Sequence, residues 1–107
     1  MNHGYLMLCK NFTVDACLNE GIFGGPNNTI SDMIKYITPG ETIIFLLNLS
    51  KNAMFGPFLA KSKPQMNLKP DIFHGAYTAQ VKVESKEHTK WYYNGKNKKQ
   101  GKLAETD

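Results

Sequence analysis

Arginine is absent from this 107-residue chain, and its thirteen cationic side chains are all lysine. Because no guanidinium group is present, the chain has no planar donor fork for bidentate recognition of phosphate or guanine. Any contact with a polyanion therefore depends on point-like ammonium groups. Lysine is concentrated late in the sequence: residues 82–102 hold seven lysines against two acids, whereas residues 1–81 hold six against five.

Long apolar runs are also missing. The longest runs, at residues 5–9 and 43–47, have five residues each, whereas a membrane-spanning helix needs about 20, and the first run is too short for a secretory signal. Cys9 and Cys17 are typical of thiols in a reducing compartment, with a disulfide as the alternative. We therefore expect an intracellular protein, cytoplasmic or nuclear, that does not bind a membrane.

The sequence has none of the common catalytic or metal-binding motifs. His3, His74 and His88 are scattered, and no two of them lie at a metal-ligand spacing with either cysteine. There is no GxSxG, GxxxxGK[ST] or HExxH motif, and the carboxylates stand singly rather than in the pairs that acid–base catalysis uses. We expect a protein that is not an enzyme and that uses no metal or cofactor.

The first half of the chain has the apolar periods of one strand and two helices. Residues 5–10 form a short apolar run that predicts a buried strand. Thr13 is a good N-cap for a helix that ends at Gly21. Apolar residues at i, i+3 and i+4 spacing predict a second helix over residues 30–37.

The second half has the pattern of antiparallel strands. Residues 41–49 and 53–61 predict a hairpin, in which Pro57 indicates a sheet edge or a bulge. Residues 76–84 predict a further strand, with 88–94 as its partner. Too few helices separate these strands for a parallel doubly wound sheet. The predicted fold class is α+β, a small mixed β-barrel flanked by two or more short helices.

Three stretches have a composition that favours more than one interpretation. In GIFGGP, residues 21–26, Phe23 stands among residues that break regular structure, so its ring either anchors a loop in the core or is held out for a partner. Aromatic residues alternate with lysines around Trp91, which is typical of surfaces that bind single-stranded nucleic acid, and also of a solvated amphipathic strand. Residues 95–107 predict a disordered lysine-rich tail or linker after a domain of residues 1–94.

Three motifs, taken in order, resemble the DCD (development and cell death) domain. They are FGGP at 23–26, IIFLLNLSKNAMFGPFLAKS at 43–62 and AYTAQVKV at 76–83. The family shows an FGLP-type motif, an LFLFNY-like strand that enters a hairpin, and a PAQV-type strand. Here Gly25 replaces the leucine, and Thr78 replaces the proline before Ala-Gln-Val.

The resemblance implies a PUA-like barrel of the group that includes EVE and YTH domains, whose members hold a modified or flipped base in an aromatic-lined pocket. On this comparison Phe23 would form one wall, Phe73 or Tyr77 would face it, and Lys10 and Asn11 would supply polar contacts. The expected partner is single-stranded RNA or a modified base; the alternative is a protein-interaction module in stress or developmental signalling. The candidate binding residues, including a lysine-rich rim, are Lys10, Asn11, Phe23, Gly24, Pro26, Lys61, Phe73, Tyr77 and Lys82.

Overall fold

The computed structural model describes residues 4–84 and 87–104, which form a mixed α+β fold. The two α-helices are α1, Asn11–Glu20, and α2, Ile30–Tyr36, with a 3₁₀ turn at Asn27–Thr29 before α2. The strands are β1 (Gly4–Cys9), β2 (Ile22–Gly25), β3 (Ile43–Asn48), β4 (Ala53–Ala60), β5 (Gln65–Met66), β6 (Ala79–Glu84), β7 (Thr89–Tyr92) and β8 (Gly101–Lys102). No helix in this part of the chain has the length and hydropathy that a membrane crossing requires.

The strands form one curled sheet, a half-barrel with the order β2-β6-β4-β3-β1-β8. Strand β5 pairs with β6, and β7 pairs with β4. The pair β1–β3 is parallel, and the other ladders are antiparallel. This architecture confirms the predicted α+β class with helices flanking a mixed, barrel-like sheet.

The two faces of the sheet bury separate apolar clusters, because successive side chains of a strand point to opposite faces. In β1, Tyr5, Met7 and Cys9 join the main core, whereas Leu6 joins a second, smaller cluster. Leu8 packs against this second cluster, as do Phe45, Leu49, Tyr93 and Leu103. The second face therefore obtains part of its cover from the end of the chain.

Two local predictions in the first half are corrected by the structure. Helix α1 begins at Asn11 rather than after Thr13, and the Thr13 hydroxyl accepts a hydrogen bond from the Lys10 backbone N–H at 3.2 Å. The GIFGGP stretch contains strand β2 rather than an open loop, because four of its residues pair in register with β6. The cross-strand hydrogen bonds of a sheet thus override the weak strand preference of glycine.

The partner of β7 was predicted wrongly. It pairs with β4 from Ala53 to Gly56, not with β6. The pairing of β4 with β6 begins only at Leu59. Pro57 lies between these two ladders, where β4 changes partners and a backbone N–H is not required.

The C-terminal segment also differs from its expectation. Gly101 and Lys102 pair with Leu6 and Tyr5 as β8, so these residues are not a disordered tail. The Leu103 N–H donates to the Gly4 carbonyl at 2.8 Å and extends the contact. The sequence around β8 has no periodic apolar residues that would predict a strand. The domain boundary at residue 94 stays a prediction.

Phe23 is a core residue and not the wall of a pocket. Its side chain is fully buried, and its ring meets Phe58 edge to face with centroids 5.0 Å apart. The alternation of β2 turns Phe23 into the main core. The interpretation of Phe23 as an anchor is therefore the one that the structure supports.

We expect Phe23→Ala to lower the free energy of unfolding by about 3–5 kcal/mol, because a buried ring leaves a cavity. Phe12→Ala is the matched control, since Phe12 is 68% exposed on α1 and a change at such a surface position alters stability by about 0.5 kcal/mol or less. Urea denaturation of both variants measures the difference. Equal losses for the two variants would contradict this placement of Phe23.

Candidate functional site

A cleft of about 280 Å³ opens where β1 ends and α1 begins. Its walls come from five separated parts of the chain, so no local motif defines it. The lining residues are Leu8, Cys9, Lys10, Gly24, Pro26, Thr29, Leu49, Tyr77, Lys99 and Gln100.

The structure brings four of the nine candidate residues into this cleft: Lys10, Gly24, Pro26 and Tyr77. Phe73 is 3% exposed and lies behind the wall, where its ring contacts that of Tyr77.

Lys61 and Lys82 are neighbours in the sheet, joined by a backbone hydrogen bond of 2.8 Å, and neither lines the cleft. The lysines at the rim are Lys10 and Lys99, so the predicted rim is corrected. Lys99 was not predicted as a site residue. The polar segment that contains it has no periodic apolar residues, so nothing in the sequence indicated that it packs against the fold.

Asn11 lies beside the cleft, at the first residue of α1. Its side-chain oxygen accepts from the Asn48 amide at 2.9 Å, and its backbone N–H donates to the Ser50 hydroxyl at 3.0 Å. Asn48 is buried, and its own oxygen accepts from the Ser50 N–H at 2.9 Å. These bonds fasten the start of α1 to the turn between β3 and β4.

Tyr77 is held at the cleft wall in an uncommon backbone conformation. Its φ is 52°, a left-handed value that bulky residues rarely adopt. Its ring meets Phe73 at nearly a right angle, 6.0 Å between centroids. Such conformations persist where surrounding contacts enforce them, and they concentrate at functional sites.

Gln80 is the buried residue that fixes this loop. It is fully buried in β6, and its amide oxygen accepts from the Lys69 N–H at 2.8 Å. Its amide nitrogen donates to the carbonyls of Tyr77, at 3.3 Å, and Lys69, at 3.4 Å. Its role was not predicted; the available signal was an amide between the apolar residues Ala79 and Val81 of β6.

The two glycines of FGGP face different neighbours. A Cβ atom on Gly24 would lie 2.6 Å from the Tyr77 carbonyl oxygen and 2.6 Å from the Phe73 ring. A Cβ atom on Gly25 would instead overlap the amide of Gln100. Gly25, where the DCD motif has leucine, therefore leaves room for a side chain that arrives from the C-terminal segment.

Gln100 joins a polar chain that reaches α2. Its amide nitrogen donates to the Tyr5 hydroxyl at 3.4 Å, and that hydroxyl donates to the Asp32 carboxylate at 2.6 Å. Burial, followed by the hydrogen bond to Asp32, raises the pKa of the Tyr5 hydroxyl. Tyr5 is thus a neutral donor that ties β1 to α2.

Both cysteines belong to the main core. Cys9 and Cys17 are both buried and free, so the alternative of a disulfide is not realised. A hydrogen bond to Cys9, together with burial, raises the pKa of the Cys17 thiol. Among the described residues, no cluster of three or more His, Cys, Asp or Glu side chains could hold a metal ion.

The charge at the cleft has one sign. Lys10 and Lys99 are both exposed at its edge, and none of the described residues that line it is a carboxylate. Tyr77 supplies an aromatic surface, and Leu8 and Leu49 supply aliphatic ones. The arrangement suits a small, flat, apolar group that carries or adjoins a negative charge.

Comparison with known proteins identifies the family. The sequence profile described as "Development and cell death domain" matches residues 3–100. The "B2 protein" of Daucus carota is 32% identical over 87 aligned positions, which cover 75% of this chain and 41% of the carrot protein. The chain thus spans about two-fifths of that relative's length.

Solved structures of YTH domains share the fold. The complex of the YTH domain-containing protein Mmi1 with RNA superposes with a TM-score of 0.59, over 78% of this chain and 54% of the other. A crystal structure of the Mmi1 YTH domain gives 0.61, over 87% and 65%. Both are 10% identical in sequence, so the likeness is one of fold. It agrees with the YTH-related group that the sequence resembles.

We expect Gly24→Ala to lower the free energy of unfolding by about 1–3 kcal/mol, because its Cβ meets a backbone carbonyl that cannot move aside. Gly25→Ala displaces only the end of the Gln100 side chain and costs about 1 kcal/mol, the value of the hydrogen bond to Tyr5. Urea denaturation measures both. In a Gln100→Ala background the Gly25→Ala loss should vanish and the Gly24→Ala loss should persist; an undiminished Gly25→Ala loss would contradict the contact.

We expect stability to fall as the pH rises above about 10, the ordinary tyrosine pKa. Because the pKa of Tyr5 is raised in the folded state, the unfolded chain loses this proton first, and deprotonation favours unfolding. Chemical denaturation at several alkaline pH values should show a shallower decline for Tyr5→Phe than for the wild type. Parallel declines would show that Tyr5 does not carry the effect.

Proposed function

This chain belongs to the development and cell death domain family, and from its cleft we propose that it is a non-enzymatic module that binds single-stranded RNA. One base enters the cleft and stacks on Tyr77. The adjoining phosphates lie between Lys10 and Lys99. An RNA ligand also fits the intracellular location that the sequence predicts.

The cleft binds the base chiefly through stacking and apolar contacts with the flat faces of its ring. A volume of about 280 Å³ lies near the lower limit, about 300 Å³, of pockets that hold small molecules, which suits one base rather than a stack of several. Stacking on an aromatic ring contributes about 1–3 kcal/mol per base. Tyr77 is fixed for this purpose, since its ring contacts Phe73 and its backbone carbonyl accepts from Gln80.

A methylated base suits the same walls. Leu8 and Leu49 present aliphatic surface, and an added methyl group buried against it contributes about 0.8 kcal/mol. Tyr77 is the aromatic residue among the described lining positions, so a several-sided aromatic cage is not part of this proposal. Preference for a modified base then rests on aliphatic contact.

The phosphate contacts are electrostatic and carry no sequence information. Lys10 and Lys99 approach from different elements, so a bound strand would pass between them. Each phosphate that a lysine neutralises on a single strand adds about 0.7 to the slope of log affinity against log salt. Binding should therefore weaken steeply as salt rises.

The observation that carries this proposal is the cleft itself, with a fixed aromatic wall and lysines but no carboxylate among its described lining residues. A protein-interaction surface would not require a cleft of this size. The fold shared with an RNA-bound YTH domain supports the same choice.

We expect Tyr77→Ala to weaken binding of a fluorescein-labelled single-stranded RNA by about 5- to 150-fold, the loss of one stacking contact. Tyr77→Phe is the matched control and should bind as the wild type, because stacking does not need the hydroxyl. Fluorescence anisotropy at two salt concentrations measures both, and circular dichroism checks the fold. No detectable binding by the wild type at low salt overturns the proposal and favours a protein partner.

A further inference from the structure

A second surface lies at the same end of the sheet as the cleft. We define the β7 surface by Lys51, Lys90 and Tyr92. These residues border a groove of about 350 Å³ together with Ala53 and Trp91. Tyr92 is 70% exposed, more than any other large apolar or aromatic side chain in the described chain.

We propose that the β7 surface binds the continuation of the RNA strand whose base occupies the cleft, so that the two form one path. This inference rests on the proposed function of the cleft. It adds a second stacking ring, Tyr92, and two further phosphate contacts, Lys51 and Lys90.

Strand register places the two surfaces at the same end of four neighbouring strands. Cys9 lies opposite Asn48, Asn48 opposite Ala53, and Ala53 opposite Tyr92, in four successive strands. Residues in such a row point to the same side. Cys9 lines the cleft and Ala53 lines the groove. Cys9, Asn48 and Ala53 of this row are buried, so a bound strand would pass over the exposed β3–β4 turn at the end of the row. Three strand spacings make the row about 14 Å long, so a ligand must extend over more than one nucleotide to reach both surfaces.

The surface between them is polar and fixed in place. Leu49 lines the cleft, and Lys51, two residues later in the same turn, lines the groove. Asn11 and Ser50 are exposed along this route, tied to each other and to Asn48 by the hydrogen bonds described above. A strand that leaves the cleft therefore crosses amide and hydroxyl groups before it reaches Tyr92.

The charge and the ring favour an RNA strand over a protein partner. Lys90 and Tyr92 point to the same face of β7, and Trp91, which stands between them in sequence, points to the other face. The Lys90 ammonium also lies 5.6 Å from the Phe55 ring centroid, which limits its freedom. An ammonium group held beside an exposed ring matches a phosphate followed by a base.

Two probes separate the cleft from the path. A fluorescein-labelled dinucleotide reaches only the cleft, whereas a labelled 12-nucleotide oligouridine reaches both surfaces. Tyr92→Ala should weaken binding of the 12-mer by about 5- to 150-fold and leave the dinucleotide affinity unchanged. Lys51→Ala/Lys90→Ala should lower the salt slope for the 12-mer by about 1.4.

The matched control is Lys61→Ala/Lys63→Ala, which removes the same charge at the opposite end of β4, about 25 Å away along the strand. It should bind the 12-mer within twofold of the wild type. Thermal unfolding confirms that each variant is folded. An equal loss in the control would show a general charge effect and overturn the path.

The outcomes distinguish the two proposals. If Tyr77→Ala weakens both probes while the β7 variants bind the 12-mer normally, the path is wrong and the cleft proposal stands. If the wild type binds neither probe at low salt, both are wrong. Trp91, the single tryptophan, gives an independent readout: its fluorescence should change with the 12-mer and not with the dinucleotide. A 12-mer that binds without changing it counts against the path.

Discussion

The parallel pairing of β1 with β3 determines how the rest of the chain is arranged. Parallel neighbours need a long crossover, and here residues 10–42 supply it with α1, β2 and α2. The same pairing brings the carboxyl ends of both strands to one edge, where α1 begins and the β3–β4 turn lies. Ligand sites of open sheets with parallel strands favour that edge. The cleft lies there, and the connection that the pairing requires builds part of its walls.

Side-chain amides maintain this edge. Asn48 holds the first residue of α1 to the turn after β3, and Gln80 holds the carbonyl of Tyr77. Gln100 reaches from the end of the chain to Tyr5. A side-chain amide can donate and accept at once, and Asn48 and Gln80 each do both. The geometry of the cleft therefore depends on polar contacts as well as on apolar packing.

Sequence patterns predicted the elements whose apolar residues recur with a clear period. Strands β1, β3, β4 and β6 and both helices follow from that signal. Strands β2 and β8 do not, and β7 was predicted as a strand but with the wrong partner, because these pairings depend on residues distant in sequence. The site shows the same division: Lys10, Gly24, Pro26 and Tyr77 came from the family resemblance, whereas Lys99 and Gln100 lie in a segment with no periodic apolar residues. The burial of Phe23 decided between the two interpretations of GIFGGP, an anchor in the core or a ring held out for a partner.

The absence of arginine has a chemical consequence for this end of the molecule. Every cation beside the cleft and the β7 groove is a primary amine, at Lys10, Lys99, Lys51 and Lys90. Acylation of a single nitrogen removes each of these charges, whereas a guanidinium group keeps its charge even when methylated. Acylation could thus remove the positive potential of this surface while leaving its aromatic and aliphatic walls unchanged.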